Sequence, residues 1–184
     1  MPGQVRSDAR RNYDRLLAVA AQCFAENGIQ TSLRDVARRA GVGIGTLYRH
    51  FPTREALLEA VLDDRFDRLR RRAEELATQA PPADALRTWL REVAVGSATY
   101  RGLPEEVMAA LQDPDSRLHT SCATMRTAGA RLLTRAQDAG QIRRDVTGQE
   151  LLALVAGLAW AGERAAQPEL MDKFLEIAMA GLAA

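Results

Sequence analysis

The chain has 184 residues, 47% hydrophobic and 27% charged, with a formal net charge of +1. That balance suits one or two small globular domains, and it excludes both a disordered chain and a uniformly basic nucleic-acid coat. The charge is unevenly placed: residues 1–54 hold nine Arg against four Asp/Glu, a surplus of +5, while the remainder sums to −4. A polyanion partner is therefore expected for the first piece alone. Cys23 and Cys122 are far apart and form no disulfide or metal-ligand pattern, so both read as small buried hydrophobes. The opening Met1-Pro-Gly-Gln-Val-Arg is polar. The most apolar run, 151–162, is too short to cross a bilayer, and a cytoplasmic location is expected.

Every strong periodicity is helical. Tyr13, Leu16, Leu17, Ala20 and Phe24 make one apolar face that ends at Gly28, a residue suited to a left-handed helix cap. A second helix opens at Thr31 or Ser32, where Ser32 and Asp35 fit a capping box, and buries Val36, Ala37 and Ala40. Gly41-Val42-Gly43 is the turn. A third helix carries Ile44, Leu47, Tyr48 and Phe51 inward. Pro52 stops it, and Thr53 opens a fourth whose charged stretch from Arg68 to Glu75 reads as a solvated face. The break at Ala80-Pro-Pro-Ala-Asp84 separates an N-terminal unit from a C-terminal one, and Asp84 is expected to cap the next helix. Val107, Met108 and Leu111 mark a short helix. Asp113-Pro-Asp-Ser116 starts a long one that Gly140 closes. Thr147-Gly-Gln-Glu150 is a full capping box, and the last helix begins near Pro168. The expected fold is all-α, about nine helices, with an N-terminal helix-turn-helix unit over 9–69, its motif at 32–51, and a helical C-terminal unit over 83–184.

Two short helices joined at Gly41 let one helix brace while the other enters a DNA groove. The outward side of the third helix presents Gly43, Gly45, Thr46, Arg49 and His50. The two glycines lack bulk, so the helix start can approach a groove floor closely. Thr46 suits a phosphate or a thymine methyl, and Arg49 suits a guanine edge or a phosphate. Tyr48 offers a ring to the core and a hydroxyl to phosphate. His50 and Arg54 extend the clamp past the helix end. Ser32 and Arg34, at the start of the second helix, complete the expected DNA-binding set. Arg38 and Arg39 read as peripheral.

The run Gly-Thr-Leu-Tyr-Arg-His-Phe-Pro-Thr-Arg-Glu-Ala-Leu, following Val-Ala-Arg-Arg-Ala-Gly-Val, resembles the signature of the TetR/AcrR transcriptional regulators over residues 9–69. The resemblance implies a recognition helix near 43–51 and a ligand-responsive, dimerising helical domain behind it. Gly43 stands where the family usually has a polar residue such as Ser, and Arg54 where Lys is usual; both bear on base preference.

In the C-terminal half, the last two helices are apolar around more than one face and need burial on both sides. Leu151, Leu154, Val155, Leu158 and Gly162 are expected to meet a second copy of the chain. Met171, Phe174, Leu175 and Ala178 of the final helix join them, because one helix-turn-helix reads only a half-site. Trp89, Tyr100, Met108, Cys122, Met125 and Trp160 are candidates to line an effector pocket, with His119 as a polar contact. No catalytic constellation, metal-ligand spacing or cofactor motif is present, so neither an enzyme nor a metal or cofactor site is expected. The reading is a homodimeric regulator, most simply a repressor, that binds double-stranded operator DNA and releases it on binding a small molecule. No membrane partner is expected. The alternative is a helical small-molecule-binding adaptor whose basic head docks a protein.

Overall fold

A computed structural model describes the backbone of residues 2–95, 97, 102–164 and 169–184, with side chains except those of residues 2–9, 163 and 169. Nine helices are present among them: α1 Pro2–Asn27, α2 Leu33–Arg39, α3 Ile44–His50, α4 Arg54–Gln79, α5 Pro82–Ala94, α6 Glu105–Gln112, α7 Arg117–Asp138, α8 Gly148–Arg164 and α9 Glu169–Leu182. The extended contacts are confined to a single antiparallel bridge between Ile142 and Ala183 among the described residues.

Local chemistry sets most of the helix ends. Gly28 takes φ +77° and donates its N–H to Phe24 O at 2.9 Å, closing α1. Gly41, at φ +67°, turns the chain from α2 toward α3, a conformation that side chains with a Cβ resist. At α8 the capping box forms in both directions: Thr147 N–H donates to Glu150 Oε2 at 2.8 Å, and Glu150 N–H donates to Thr147 Oγ1 at 3.3 Å. The first of these bonds holds the Glu150 carboxyl below its usual pKa.

Two other expected caps do not form. Ser32 precedes α2 without a side-chain cap bond, and Asp35 pairs with Arg38 at 2.7 Å instead. The cation one turn away outcompetes the backbone N–H for that carboxylate. Asp84 lies inside the first turn of α5, which begins earlier, after Pro81, and it pairs with Arg87. Pro82 sits at the helix start, where a missing N–H costs nothing.

By compactness the chain divides into two units, residues 1–64 with 102–119, and residues 65–101 with 120–184. This differs from the linear division at the Ala80–Asp84 break, because α4 and α7 each supply residues to both units. In the first unit Leu16, Ala20, Phe24, Val36, Leu47, Leu57, Leu58 and Val107 are fully buried. In the second, α5 is the central element. Trp89 is 1% exposed, its indole N–H donates to Leu69 O at 2.9 Å, and it packs among Leu76, Leu86, Leu132, Val155 and neighbouring core residues. A Cβ on Gly129 would lie 2.1 Å from the Trp89 ring, so α7 is glycine at that position to let the indole in. Truncating a tryptophan buried in this way costs about 3–5 kcal/mol.

Candidate nucleic-acid interface

The head of the first unit is held together by contacts that leave one face unoccupied. Leu47 is fully buried and Phe51 is 3% exposed, which anchors α3 by its inner side. At the end of α3, the His50, Phe51 and Tyr13 rings cluster, with centroids 5.9 Å apart for Tyr13–His50 and 5.1 Å for Tyr13–Phe51. Burial raises the Tyr13 phenol above its usual pKa, with smaller contributions from nearby charges. His50 is thus packed against α1 as well as half-open to solvent.

Gly45, Tyr48 and Arg49 sit three and four residues apart, on the side of α3 opposite Leu47, and all three are exposed. Tyr48 is 48% exposed. Its ring therefore does not enter the core as the sequence suggests; on a helix of two turns, Leu47 and Phe51 already occupy the inner side. Ile44 is likewise partly open at 36%. A Cβ on Gly43 or Gly45 would meet nothing within 4 Å, so neither glycine is demanded by the chain's own packing. Thr46 is half-buried beside them. Arg34 and Arg49 make no hydrogen bond or ion pair among the described residues, and the Ser32 hydroxyl, released from the cap, also has no partner there.

The other arginines of the head whose side chains are described are engaged. Arg54 is the clearest departure from expectation. Its Nη1 donates to Ile29 O at 2.9 Å and Thr31 O at 2.7 Å, so the side chain braces the loop between α1 and α2 and is not an open phosphate clamp. Those carbonyls have no helical partner, and a guanidinium satisfies both at once. Arg39 forms a two-bond pair with Glu26, at 2.6 and 3.1 Å, and its Nη1 also reaches Cys23 Sγ. Arg38 is occupied by Asp35. The head thus separates arginines that hold the fold from two that point outward with nothing to bind.

Residues 16–61 match the family model of bacterial regulatory proteins of the tetR family, and residues 81–184 match that of the SbtR-like transcriptional regulator C-terminal domain. The chain belongs to the TetR family. A TetR regulator from Streptomyces coelicolor is similar over 93% of this chain and 98% of its own, with 34% identity and a TM-score of 0.76. The TetR regulatory protein from Mycobacterium vanbaalenii covers 98% and 99% of the two chains at 34% identity, with a TM-score of 0.68. The transcriptional repressor KstR2 of Mycolicibacterium smegmatis is 41% identical over 75 residues, which is 40% of this chain and 37% of that protein. The matched segment thus spans little more than a third of the curated relatives. The protein is a DNA-binding transcriptional regulator with an N-terminal helix-turn-helix, and TetR-family proteins bind operator DNA and small-molecule effectors, generally as dimers. The family is not an enzyme family. No group of three or more His, Cys, Asp or Glu suited to a metal occurs among the described residues, and no described helix is long and apolar enough to cross a membrane.

The expected dimer residues of this TetR-family chain divide in two. Leu151, Val155 and Leu175 are 4%, 1% and 3% exposed and belong to the core of their own chain. Gly162 is buried as well, and a Cβ there would come within 3.6 Å of Met171, so it serves the approach of α8 to α9 within one protomer. Met171 packs partly against the same core. Packing within one chain thus accounts for the burial of these five. Both stripes of α8 are apolar, and packing against α5 and α9 decides which one is covered. On the other side Leu154 is 41% exposed, and Leu158, Phe174 and Ala178 are half-buried. Ile177, 61% exposed, and Trp160, 49% exposed with the Arg164 guanidinium 5.2 Å above its ring, join that side and were not anticipated there. The signal was available in the spacing: Leu154, Gly157, Leu158 and Ala161 repeat the interval of Phe174, Ile177, Ala178 and Gly181.

The expected pocket residues that are described have different surroundings. Trp89 and Met125 are core, Cys122 is half-buried against it with its thiol pKa raised by burial, and Trp160 faces outward. Met108 is 41% exposed, and His119 Nδ1 lies 2.9 Å from Leu111 O, which ties down the one polar contact. Met108 and His119 also fall in the first unit and the others in the second. Tyr100 lies outside the described residues. Two clefts of the second unit are lined differently. One, about 440 Å³, is formed by Arg87, Thr88, Arg91, Asp172, Leu175 and Glu176. The other, about 390 Å³, is formed by Arg65, Arg68, Leu69, Arg91, Glu92 and Val95.

Proposed function

We propose that the chain is a homodimeric repressor that holds a palindromic operator and releases it when a small molecule binds the second unit. One observation carries the DNA-contact assignment: Arg49 and Arg34 are exposed cations without a partner among the described residues, beside exposed Tyr48 and two bare glycines. A guanidinium left unpaired in a head rich in ion pairs is suited to guanine edges or phosphates. Thr46, His50 and the Ser32 hydroxyl supply shorter backbone contacts around it, while Arg54 acts from within by bracing the loop that carries Ser32.

Dimerisation is supported by the uncovered apolar rows of α8 and α9, which suit a second copy of themselves about a two-fold axis. Two heads then read half-sites about one helical turn, ~34–36 Å, apart. Repression is the activity named for the M. smegmatis relative and is adopted for this chain on that resemblance. A cytoplasmic location follows from a partner that is genomic DNA. Only an effector with different affinities for the bound and released forms shifts the balance.

Selection from a random duplex pool with the purified full chain tests the reading. The expected product is an inverted repeat whose affinity falls steeply with salt as counterions are released. A pool without an enriched sequence overturns it.

A further inference from the structure

We propose that Ile44 is a specificity residue: its side chain packs on the C5 methyl of a thymine in the major groove of the operator. The inference rests on the DNA-binding reading above and adds to it a named base and the residue that selects it.

Ile44 is an aliphatic residue that the packing of its own chain only partly uses. The inner side of α3 is occupied by Leu47, fully buried, and by Phe51 just past its end, whereas Ile44 stays 36% exposed. Tyr48, four residues on and so in the same row of the helix, is 48% exposed. Gly45 and Arg49, also four apart, form the neighbouring row, and both are exposed. The open face of α3 thus carries two strips side by side. One is apolar, and the other ends in a cation that has no partner among the described residues.

Nothing crowds the apolar strip. A Cβ at Gly43 or Gly45 would meet nothing within 4 Å, so the positions on either side of Ile44 carry no bulk that would hold a base pair away. Side chains on a helix lean back toward its N-terminus, and Ile44 is the first residue of α3, so it projects ahead of the rest. In a helix-turn-helix protein that leading part of the second helix is the part that approaches base edges.

Chemistry then selects the contact. An isoleucine side chain neither donates nor accepts a hydrogen bond, so it gains nothing at a phosphate. In the major groove guanine, adenine and cytosine present polar edges, and the C5 methyl of thymine is the one hydrocarbon group that projects; the minor groove has no counterpart. Packing that methyl on Ile44 removes apolar surface of both partners from water. A polar edge in its place would lose its water without gaining a bond, which adds discrimination against the wrong base. Thr46, the other residue of α3 suited to a thymine methyl, is half-buried.

The test uses the purified full chain and the duplex enriched from the random pool. Each thymine of one half-site is replaced in turn by deoxyuridine, which removes the C5 methyl and keeps the base pair, and affinity is read by fluorescence anisotropy at fixed salt. One position is expected to lose about fourfold in affinity, the scale of one buried methyl group. With Ile44→Ala the thymine and deoxyuridine duplexes are expected to bind alike at that position. Ile44→Val, which keeps the branch and shortens the side chain, is expected to fall between. A purely structural role for Ile44 would weaken both duplexes equally and leave the fourfold ratio in place. Circular dichroism melts establish that the variants fold, and Ile44→Val carries the comparison alone should Ile44→Ala unfold. The proposal is overturned if no thymine of the half-site responds to loss of its methyl, or if the response persists in full in a folded Ile44 variant. Either result, with an enriched operator in hand, overturns this inference and leaves the DNA-binding reading standing. A pool without an enriched sequence overturns both, since no base is then read.

Discussion

The helix-turn-helix head and the α8–α9 face lack opposite things. In the head the apolar side of α3 is satisfied by Leu47 and Phe51, and what is left over is charge: Arg34 and Arg49 outward, with no partner among the described residues. On α8 and α9 the charge is sparse, and what is left over is hydrocarbon: Leu154, Trp160 and Ile177. Unused charge calls for a polyanion and unused hydrocarbon calls for another hydrocarbon surface. The two regions thus name their partners by the kind of interaction each leaves unmade, and composition averaged over the chain, with its net charge of +1, conceals both.

The sharpest way to break this contrast is to test whether the second unit is saturated inside and open outside. Gly129→Ala drives a methyl into the Trp89 ring and is expected to cost about 2–3 kcal/mol, lowering the thermal midpoint by roughly 5–10 °C. Gly157→Ala, where a Cβ meets nothing within 4 Å, should leave the folded chain as stable as before or slightly more so. Equal melting of the two variants would show that the core around Trp89 has room to yield.

Next in size is assembly. Ile177→Asp places a charge on the apolar face and is expected to convert the dimer to a folded monomer, read by light scattering together with circular dichroism. A dimer of unchanged affinity would move the interface elsewhere. In the head, Arg49→Ala is expected to weaken operator binding by about 1–3 kcal/mol, about five- to more than a hundredfold, with the melting midpoint preserved. Arg54→Ala should do the reverse in kind, since it removes a brace from two loop carbonyls: lower stability and a uniform loss of binding across sequences. If Arg54→Ala leaves the midpoint unchanged, its bonds to Ile29 and Thr31 are idle.

The smallest effect is on pH. Hydrogen bonds from Arg39, Arg143, Arg91 and the Thr147 backbone hold Glu26, Asp145, Asp172 and Glu150 below the usual carboxylate range. A depressed folded pKa contributes stability that is fully present above the unfolded value and is lost as pH falls through the folded one. The urea midpoint should therefore be flat from pH 6 to 8 and decline only below about 4. Because these groups are open to solvent, the decline is expected to be shallow and weaker still in high salt.

What the sequence made legible was what is decided within one helical turn or by a repeating face. Gly28, Gly41 and the Thr147–Glu150 box act on neighbours along the chain, and each appears where expected. Ser32 with Asp35 has the same pattern but a competing cation at Arg38, and the pattern alone does not rank the two. Arg54 was misread for a different reason. Its partners, Ile29 and Thr31, lie more than twenty residues back, and no local signal connects a lone arginine to a loop carbonyl. The same blindness governs α8. Leu151 and Leu154 are alike in sequence and opposite in fate, because the positions of α5 and α9 separate a stripe that is covered from one that is not. Trp89, Met125 and Trp160 are alike as large apolar pocket candidates, yet the first two are core and the third faces solvent, while the two clefts are bordered by arginine.

Trp89 and Trp160 are the two tryptophans of the chain, and they occupy opposite environments, 1% and 49% exposed. This gives the unmodified protein an optical gauge of its own assembly. Emission from Trp89 should stay blue and beyond the reach of an aqueous quencher such as iodide, a constant reference. Emission from Trp160 should be red-shifted and quenchable in the isolated chain, and should lose both properties when a second copy covers α8. Dilution followed by quenching would then report subunit dissociation without a label.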